Sequence, residues 1–452
     1  MSMNNFKRSL QDIARYPSAI VGGIMVVILI AVAIYAMIDI PYSKAIDLWR
    51  GGEDVWYQNP KNVPPAWMNL FTAKKQPVSF VINAKTGNMV RTVKTHSDGS
   101  STITTTYTFD YSYDAFPQDV IMYFTAQFKA KQPFASLEWD TPDGRKIQVA
   151  NFGVANQYTY RISQDSVLQT KLKGLSPEIG LFADPKSPDP KNPVPVKGTY
   201  KLIVTGITWE KGSDMSSELV LHGQVAGLAG TDIYRRDLMV ALLWGTPVAL
   251  AFGLIASVGT TFLTMIIAAI GAWYGRWVDE LIQRITEVNL VLPFLPILIM
   301  VGTLFSRSIW VILGVTVALS IFTSSIKSYR AIFMQVKEAT YIEAAKSYGA
   351  SNWRIIVLYL IPRLIPTLIP TLVLSVPSFV FLEATLAVLG LGDPTLPTWG
   401  KIIDDAFNNG ALYKGQYYWI VEPAILLMLT GLAFALLGFA LDRIFNPRLR
   451  EA

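Results

Sequence analysis

Residues 343–362, "EAAKSYGASNWRIIVLYLIP", decide how this chain is read. The stretch is helical in composition, dotted with charge, interrupted by one glycine, and flanked by long apolar segments. Gly349 is suited to the left-handed position that ends a helix. Ser351 is suited to cap the next helix by accepting a backbone hydrogen bond. The preceding "SYRAIFMQVKEATYIEAAKSYG" reads as one helix and "NWRIIVLYLIP" as the start of another, so the pattern predicts two helices meeting at a tight bend. Ala344 and Ala345 keep one surface shallow, and Glu343 and Lys346 lend it charge. Two readings stand side by side: a surface for another protein, and an interfacial hairpin that only links two apolar segments.

Outward from this bend the chain is greasy. Of 452 residues, 51% are hydrophobic and 16% charged, against about 25% charged in soluble proteins. Several apolar runs reach the roughly 20 residues that cross a bilayer core. Spans are expected at 18–40, 245–272, 289–305, 308–325, 364–389 and 420–441, with Pro293, Pro296, Pro366, Pro370 and Pro377 as tolerated kinks. The first run is too long for the apolar region of a cleaved signal peptide, and its one small-x-small site, Ala31–Ala33, lies inside it. It is expected to remain as a span with the N-terminus inside. On this threading the inner segments hold 14 basic residues: Lys7, Arg8, Arg15, Arg276, Arg284, Lys327, Arg330, Lys337, Lys346, Arg354, Arg363, Arg443, Arg448 and Arg450. The short outer loops hold three, Arg307, Lys401 and Lys414. That asymmetry puts the bend in the cytoplasm.

Between the first two spans the period changes. In "STITTTYTFDYSY", residues Ile103, Thr105, Tyr107, Phe109, Tyr111 and Tyr113 share one face, as in a half-buried strand. "HSDGS" and Pro142-Asp143-Gly144 are turn signals. "GTYKLIVTGITW" and "SELVLHG" read as further strands, and "ADPKSPDPKNPVPVKG" as a loop. The expected fold is therefore an all-α polytopic membrane protein of six transmembrane helices with an inserted extracytoplasmic β-rich, sandwich-like domain. The expected divisions are a cytoplasmic tail 1–17, a first helix 18–40, the insert 41–228, a five-helix core 229–442 carrying the cytoplasmic loop 327–363, and a tail 443–452.

Composition also excludes chemistry. Without cysteine there is no disulfide framework, thiolate catalysis or cysteine metal site. The two histidines, His96 and His222, both fall in the polar part and read as surface or strand residues, so neither a histidine metal cluster nor a Ser-His-Asp triad is available in the membrane. The net charge of +6 sits in the inner loops, which argues for membrane orientation rather than nucleic acid. No G-x-x-x-x-G-K-[ST] string occurs; Gly400-Lys401 is followed by Ile402. An ATP-driven chain of this kind would draw its energy from a partner. Glu383, deep in the fifth span, reads either as a translocation-pathway carboxylate or as an interhelical hydrogen-bonding group; Glu287 and Glu422 read as interfacial. "GLGDPTLPTWG" (390–400) reads as lining an outer mouth or as a plain joint. Trp56, Trp67, Trp139 and Trp209 read as core or as a ligand face.

The string "EAA", three residues, glycine, then "I…LIP" resembles the EAA loop of ABC importer permeases. "GTDIYRRDLMVALLWGTPVAL" (230–250), "GAWYGRWVDELIQRITEVNLVLPFLPILI" (271–299), "FLEATLAVLGLGDPTLPTWGKIIDDA" (381–406) and the ending "NPRLR" resemble the C-type permeases of the peptide/nickel subfamily. The resemblance is loose over 1–40 and dense over 228–452. Arg235 stands where that family usually has glycine, Ala387 where it commonly has serine, Phe445-Asn446 near a usual aspartate, and the insert replaces a short outer segment.

The resemblance implies a type I ABC importer fold and a non-catalytic permease subunit with no cofactor of its own, ATP and magnesium being bound by partners. It implies ATPase coupling at Glu343, Ala344, Ala345, Lys346, Gly349, Ala350 and Ser351. It also implies a second homologous permease, two ATP-binding subunits and an extracellular solute-binding protein, here expected to dock on the insert, all in a prokaryotic cell membrane. The expected substrate is a di- or oligopeptide, with oligosaccharide or nickel as alternatives. A secondary transporter or channel, and a membrane-anchored receptor, are the readings of another class.

Overall fold

The computed structural model describes residues 16–187 and 192–445. The tail residues Lys7, Arg8, Arg15, Arg448 and Arg450, the "NPRLR" ending and residues 188–191 of the proline-rich loop lie outside the described residues. The chain forms two compact units, one of residues 51–239 and one of residues up to 50 together with 240 onward.

The second of these is helical: α1 Pro17–Asp39, α2 Tyr42–Arg50, α3 Leu238–Tyr274, α4 Arg276–Val291, α5 Phe294–Leu304, α6 Ile309–Ile321, α7 Ser324–Lys337, α8 Thr340–Ser347, α9 Asn352–Leu391, α10 Trp399–Asn408 and α11 Tyr418–Phe445. Four of these, α1, α3, α9 and α11, are long and apolar enough to cross a membrane. The stretches expected at 289–305 and 308–325 are instead parts of bent pairs. α4 and α5 meet at 81°, and α6 and α7 at 48°. Six spans result only if each pair counts as one. The first break follows from Pro293, which pushes Leu292 out of the helical region to ψ 135°. The proline that reads as a kink thus ends one helix and leads into the next. α5 alone, with 11 residues, is about 16 Å long, half a bilayer core.

Side chains satisfy the carbonyls that the second bend frees. Asn289 Nδ2 donates to Leu319 O and Phe322 O, both at 2.8 Å, and Thr264 donates to Ile321 O at 3.0 Å. Such pairing is obligatory where no water is present. Pro366, Pro370 and Pro377 do lie within α9. Small residues set the close approaches. A Cβ on Gly22 of α1 would sit 2.8 Å from Leu437 N of α11, and one on Gly245 of α3 would sit 2.2 Å from the Trp399 ring. Trp399 donates to Leu242 O at 2.9 Å. α2 belongs with the helices: Ile46 packs against the cluster that holds Phe252 and Ile309, and the Tyr42 ring lies 5.7 Å from that of Trp244.

Among the described residues, the unit of residues 51–239 has nine strands: β1 Phe80–Ile82, β2 Met89–Thr95, β3 Ser101–Tyr111, β4 Asp119–Gln127, β5 Phe134–Asp140, β6 Lys146–Gly153, β7 Gln157–Arg161, β8 Gly198–Thr208 and β9 Asp214–His222. They form two antiparallel sheets, β1-β9-β4-β7 and β2-β3-β8-β5-β6, around one hydrophobic core. β3 buries Ile103, Thr105, Tyr107, Phe109 and Tyr111, the face that its alternation marks. Gly99 and Gly144 take φ of +84° and +86° in the two hairpin turns. Trp139 is fully buried against Phe109, Phe182 and Tyr200, whereas Trp67 and Trp209 are exposed. Residues 229–239 close this unit through a turn in which Asp232 accepts from the backbone of Tyr234 and Arg236 and from the Arg236 guanidinium.

Candidate functional site

The bend is built by local rules. α8 ends in a Schellman turn: the N–H of Gly349 bonds to Lys346 O at 2.9 Å and that of Ala350 to Ala345 O at 3.0 Å. Gly349 takes φ +77°, as the turn requires. A Cβ there would meet nothing within 4 Å, so the glycine answers to backbone conformation and not to space. Ser351 caps α9 by accepting from Arg354 N at 3.4 Å. A π-helical turn follows at Ile356–Leu360.

The helix expected before the bend is two helices, α7 and α8, broken at Glu338–Ala339. The reason lies in spacing. Phe333 and Ile342 are nine positions apart, which on a continuous helix puts them about 180° apart. Both are fully buried in one cluster with Met265, Ala268, Ala269, Ala272 and Ile355. The break lets both reach it.

That cluster is at the end of α3, where sequence reasoning overlooked two groups. Lys337 Nζ donates to Ala272 O and Trp273 O, both at 2.9 Å, capping the carbonyl end of α3. Its ammonium also lies 5.6 Å from the Trp273 ring, and that of Lys346 lies 4.9 Å from it. Arg330 of α7 pairs with Asp279 of α4 through both carboxylate oxygens. The elbow is therefore held to its neighbours by an apolar cluster, two cation–π contacts and a two-pronged ion pair.

The expected coupling residues divide between two faces. Glu343, Ala344, Lys346, Gly349 and Ser351 are exposed, Ala350 is half-buried, and Ala345 is buried in the cluster. Ala345 therefore packs the elbow from within and does not add to a shallow outer surface. Tyr348 at 92% and Trp353 at 58% exposure extend that surface, a signal present in the sequence but not used. Glu383 is buried on α9. The void beside it is about 10 Å³, the volume of one water at most. Ala387 is fully buried, and a Cβ on Gly400 would sit 2.6 Å from its methyl group, so the 390–400 joint is closely packed.

A profile of the family described as binding-protein-dependent transport system inner membrane component matches residues 260–451. A putative peptide transport system permease protein of Brucella suis is 30% identical over 226 residues, covering 49% of this chain and 74% of that protein. The dipeptide transport system permease protein DppC of Lactococcus lactis is 29% identical over 223 residues, 49% of this chain and 64% of the relative. The glutathione transport system permease protein GsiD of Pectobacterium atrosepticum is 27% identical over 230 residues, 49% of this chain and 73% of the relative. The chain thus spans a little under two thirds of the Lactococcus relative's length.

Proposed function

Because the chain belongs to the family of binding-protein-dependent transport system inner membrane components, we propose that it is the permease subunit of an ATP-driven ABC importer for di- or oligopeptides. The observation that carries the reading is the elbow at α8: a Schellman turn with an exposed outer face of Glu343, Ala344, Lys346 and Tyr348, and an inner face anchored on the end of α3. A rigid protrusion so anchored can pass a partner's movement into a membrane helix.

In this reading the chain has six spans, each bent pair counting as one, with both termini and the elbow cytoplasmic and the β unit extracytoplasmic. It is non-catalytic and pairs with a second, homologous permease. Two partner subunits bind ATP and magnesium and hydrolyse ATP against the elbow. A solute-binding protein delivers the substrate and is positioned by the β unit. The seven residues from Glu343 to Ser351 named above form or shape the ATPase contact, Ala345 from within. Glu383 belongs to the translocation pathway.

The test is purification of the assembled transporter from its native membrane and reconstitution in vesicles. ATP-dependent uptake of labelled peptides, absent without the ATP-binding subunits, is the expected result. An active chain with no ATPase attached would overturn the reading, and uptake of nickel or an oligosaccharide instead of peptide would overturn its substrate.

A further inference from the structure

The outer face of the β1-β9-β4-β7 sheet holds a cleft of about 890 Å³, at the upper end of the range for small-ligand sites. Register defines its floor. Thr159, Tyr123 and Glu218 form one row across β7, β4 and β9; Gln157, Thr125 and Ser216 form the next; Arg161 lies one row the other way, opposite Ile121. Glu53, Asp54, Tyr57, Gln58, Asn83, Lys85 and Arg235 complete the wall. The lining carries three carboxylates and three cations, so a ligand of a single charge gains little from it.

The two ends differ. Glu218 accepts from three neutral donors, Gln58 Nε2 at 2.9 Å, Tyr57 Oη at 3.3 Å and Asn83 Nδ2 at 3.3 Å, and no described cation lies within 4.0 Å of it. It is a carboxylate held in place without a counter-charge. At the other end Glu53 is shared by Lys61, Arg161 at 3.5 Å and Arg235 at 3.8 Å, and Arg161 also reaches Asp119 at 3.8 Å. Asp54 and Lys85 stand on the rim. Three cations against the two carboxylates of Glu53 and Asp119 leave one positive charge over, and the Arg161 guanidinium, held only by long contacts and a third exposed, is able to take an incoming anion.

A buried network sets this geometry in advance. Arg235 is 5% exposed and takes φ +66°, the left-handed conformation natural to glycine. Its guanidinium donates to Asn59 O at 2.7 Å and to His222 Nδ1 at 3.1 Å. Since arginine only donates, His222 carries its proton on Nε2 and donates to Tyr57 O at 2.9 Å. Burial first, then the Arg235 charge, pushes His222 down to about 4, which keeps it neutral. Tyr57 packs edge-on against Tyr123 at 4.7 Å and donates to Glu218. The strained arginine thereby fixes the tyrosine that orients the unpaired carboxylate.

We infer that this cleft binds a short peptide with free termini, its ammonium at Glu218 and its carboxylate at Arg161, with Tyr123 and Thr159, which share the Glu218 row on the Arg161 side, beside its amides. Strand geometry puts the two Cα atoms about 12 Å apart, two strands over and two residues along. An extended tripeptide spans about 10 Å, which the inward-reaching side chains match. The β unit is then a substrate site within the permease subunit itself. The inference rests on the peptide reading above.

The test is calorimetric titration of the full chain in lipid nanodiscs with trialanine, N-acetyl-trialanine, trialanine amide and alanine. Saturable trialanine binding is expected, weakened about 10- to 100-fold by N-acetylation, by amidation, by Glu218→Gln and by Arg161→Met. N-acetylation should cost nothing further in Glu218→Gln, nor amidation in Arg161→Met. Alanine, too short to bridge both ends, should not bind. Absence of trialanine binding, equal binding of alanine, or binding indifferent to both substitutions in variants with unchanged hydrogen exchange would overturn the inference. Peptide uptake by the assembled transporter, measured in parallel, separates the two claims. Uptake without binding here defeats this inference alone, and failure of ATP-driven peptide uptake defeats the functional reading.

Discussion

Replacing Gly349 by valine tests the elbow at its most constrained residue. The backbone there has φ +77°, a conformation that costs an L-residue roughly 1–2 kcal/mol, and more when the side chain is β-branched. No atom lies within 4 Å of the position a Cβ would take, so steric collision adds nothing and the effect is conformational. If the chain relaxes to escape the strain, the two Schellman bonds from Gly349 and Ala350 are lost, at about 1 kcal/mol each. The native elbow is therefore disfavoured by about 2–3 kcal/mol, which lowers its relative population about 30- to 150-fold. Gly349→Asn, which tolerates the left-handed region, should cost much less, and Gly349→Ala should fall between the two. The assay is ATP-driven peptide uptake and peptide-stimulated ATP hydrolysis in vesicles, with hydrogen exchange of residues 345–350 as the structural readout. Uptake should fall in the order Gly, Asn, Ala, Val while the subunit still reaches the membrane. Wild-type coupling in Gly349→Val, or equal loss in Asn and Val, would refute the reasoning.

Three further outcomes are expected. His222 stays neutral in the fold down to about pH 4, whereas the unfolded chain takes up the proton below about 6.5. Stability of the β unit is therefore complete above pH 6.5 and falls as pH drops toward 4, by about 2 kcal/mol at pH 5. Asp232 and Asp237, raised by burial, work in the opposite sense, so the measurement is the difference in β4 and β9 hydrogen exchange between the wild type and His222→Gln; an identical pH response contradicts it. Lys337→Met removes both bonds to the end of α3 and one cation–π contact, and should speed exchange of residues 338–349 by about 5- to 100-fold; unchanged protection would show that Lys337 does not anchor the elbow. Gly22→Val forces a side chain against Ala433 O and Leu437 N and should lower the melting temperature of the detergent-solubilised chain through a loss of about 1–3 kcal/mol, a result that an unaltered melting curve would exclude.

How much of this was written in the sequence depends on the range of the interaction. Gly349, Ser351, the hairpin glycines and the alternation of β3 act within a few residues, and the structure forms each as the local rules state. Pro293 was visible, but whether it kinks a helix or ends it is decided by which neighbours take up the freed backbone groups. The α7–α8 break was legible in principle, since the nine-residue offset of Phe333 and Ile342 conflicts with one buried face. Ala345 could be assigned to the inner face only once the cluster at the end of α3 was known. Lys337 and Trp273 lie 64 positions apart, and no periodicity connects them. Arg235 was the most informative departure. An arginine in a glycine position signals a network that offsets the strain, but its partners, Asn59 in a turn and His222 at the end of β9, come from other segments of the chain and meet it only in the folded unit.

The central claim, that the elbow meets a separate ATP-binding subunit in the cytoplasm, can be tested directly because the chain has no cysteine of its own. A single cysteine introduced by Tyr348→Cys, at the most exposed point of the elbow, can be alkylated with a maleimide carrying a benzophenone, which on illumination inserts into C–H bonds of whatever protein lies against it in the assembled transporter. The account predicts a covalent adduct with the ATP-binding subunit and protection from an impermeant maleimide added to intact cells. Labelling from outside, with no such adduct, would contradict it.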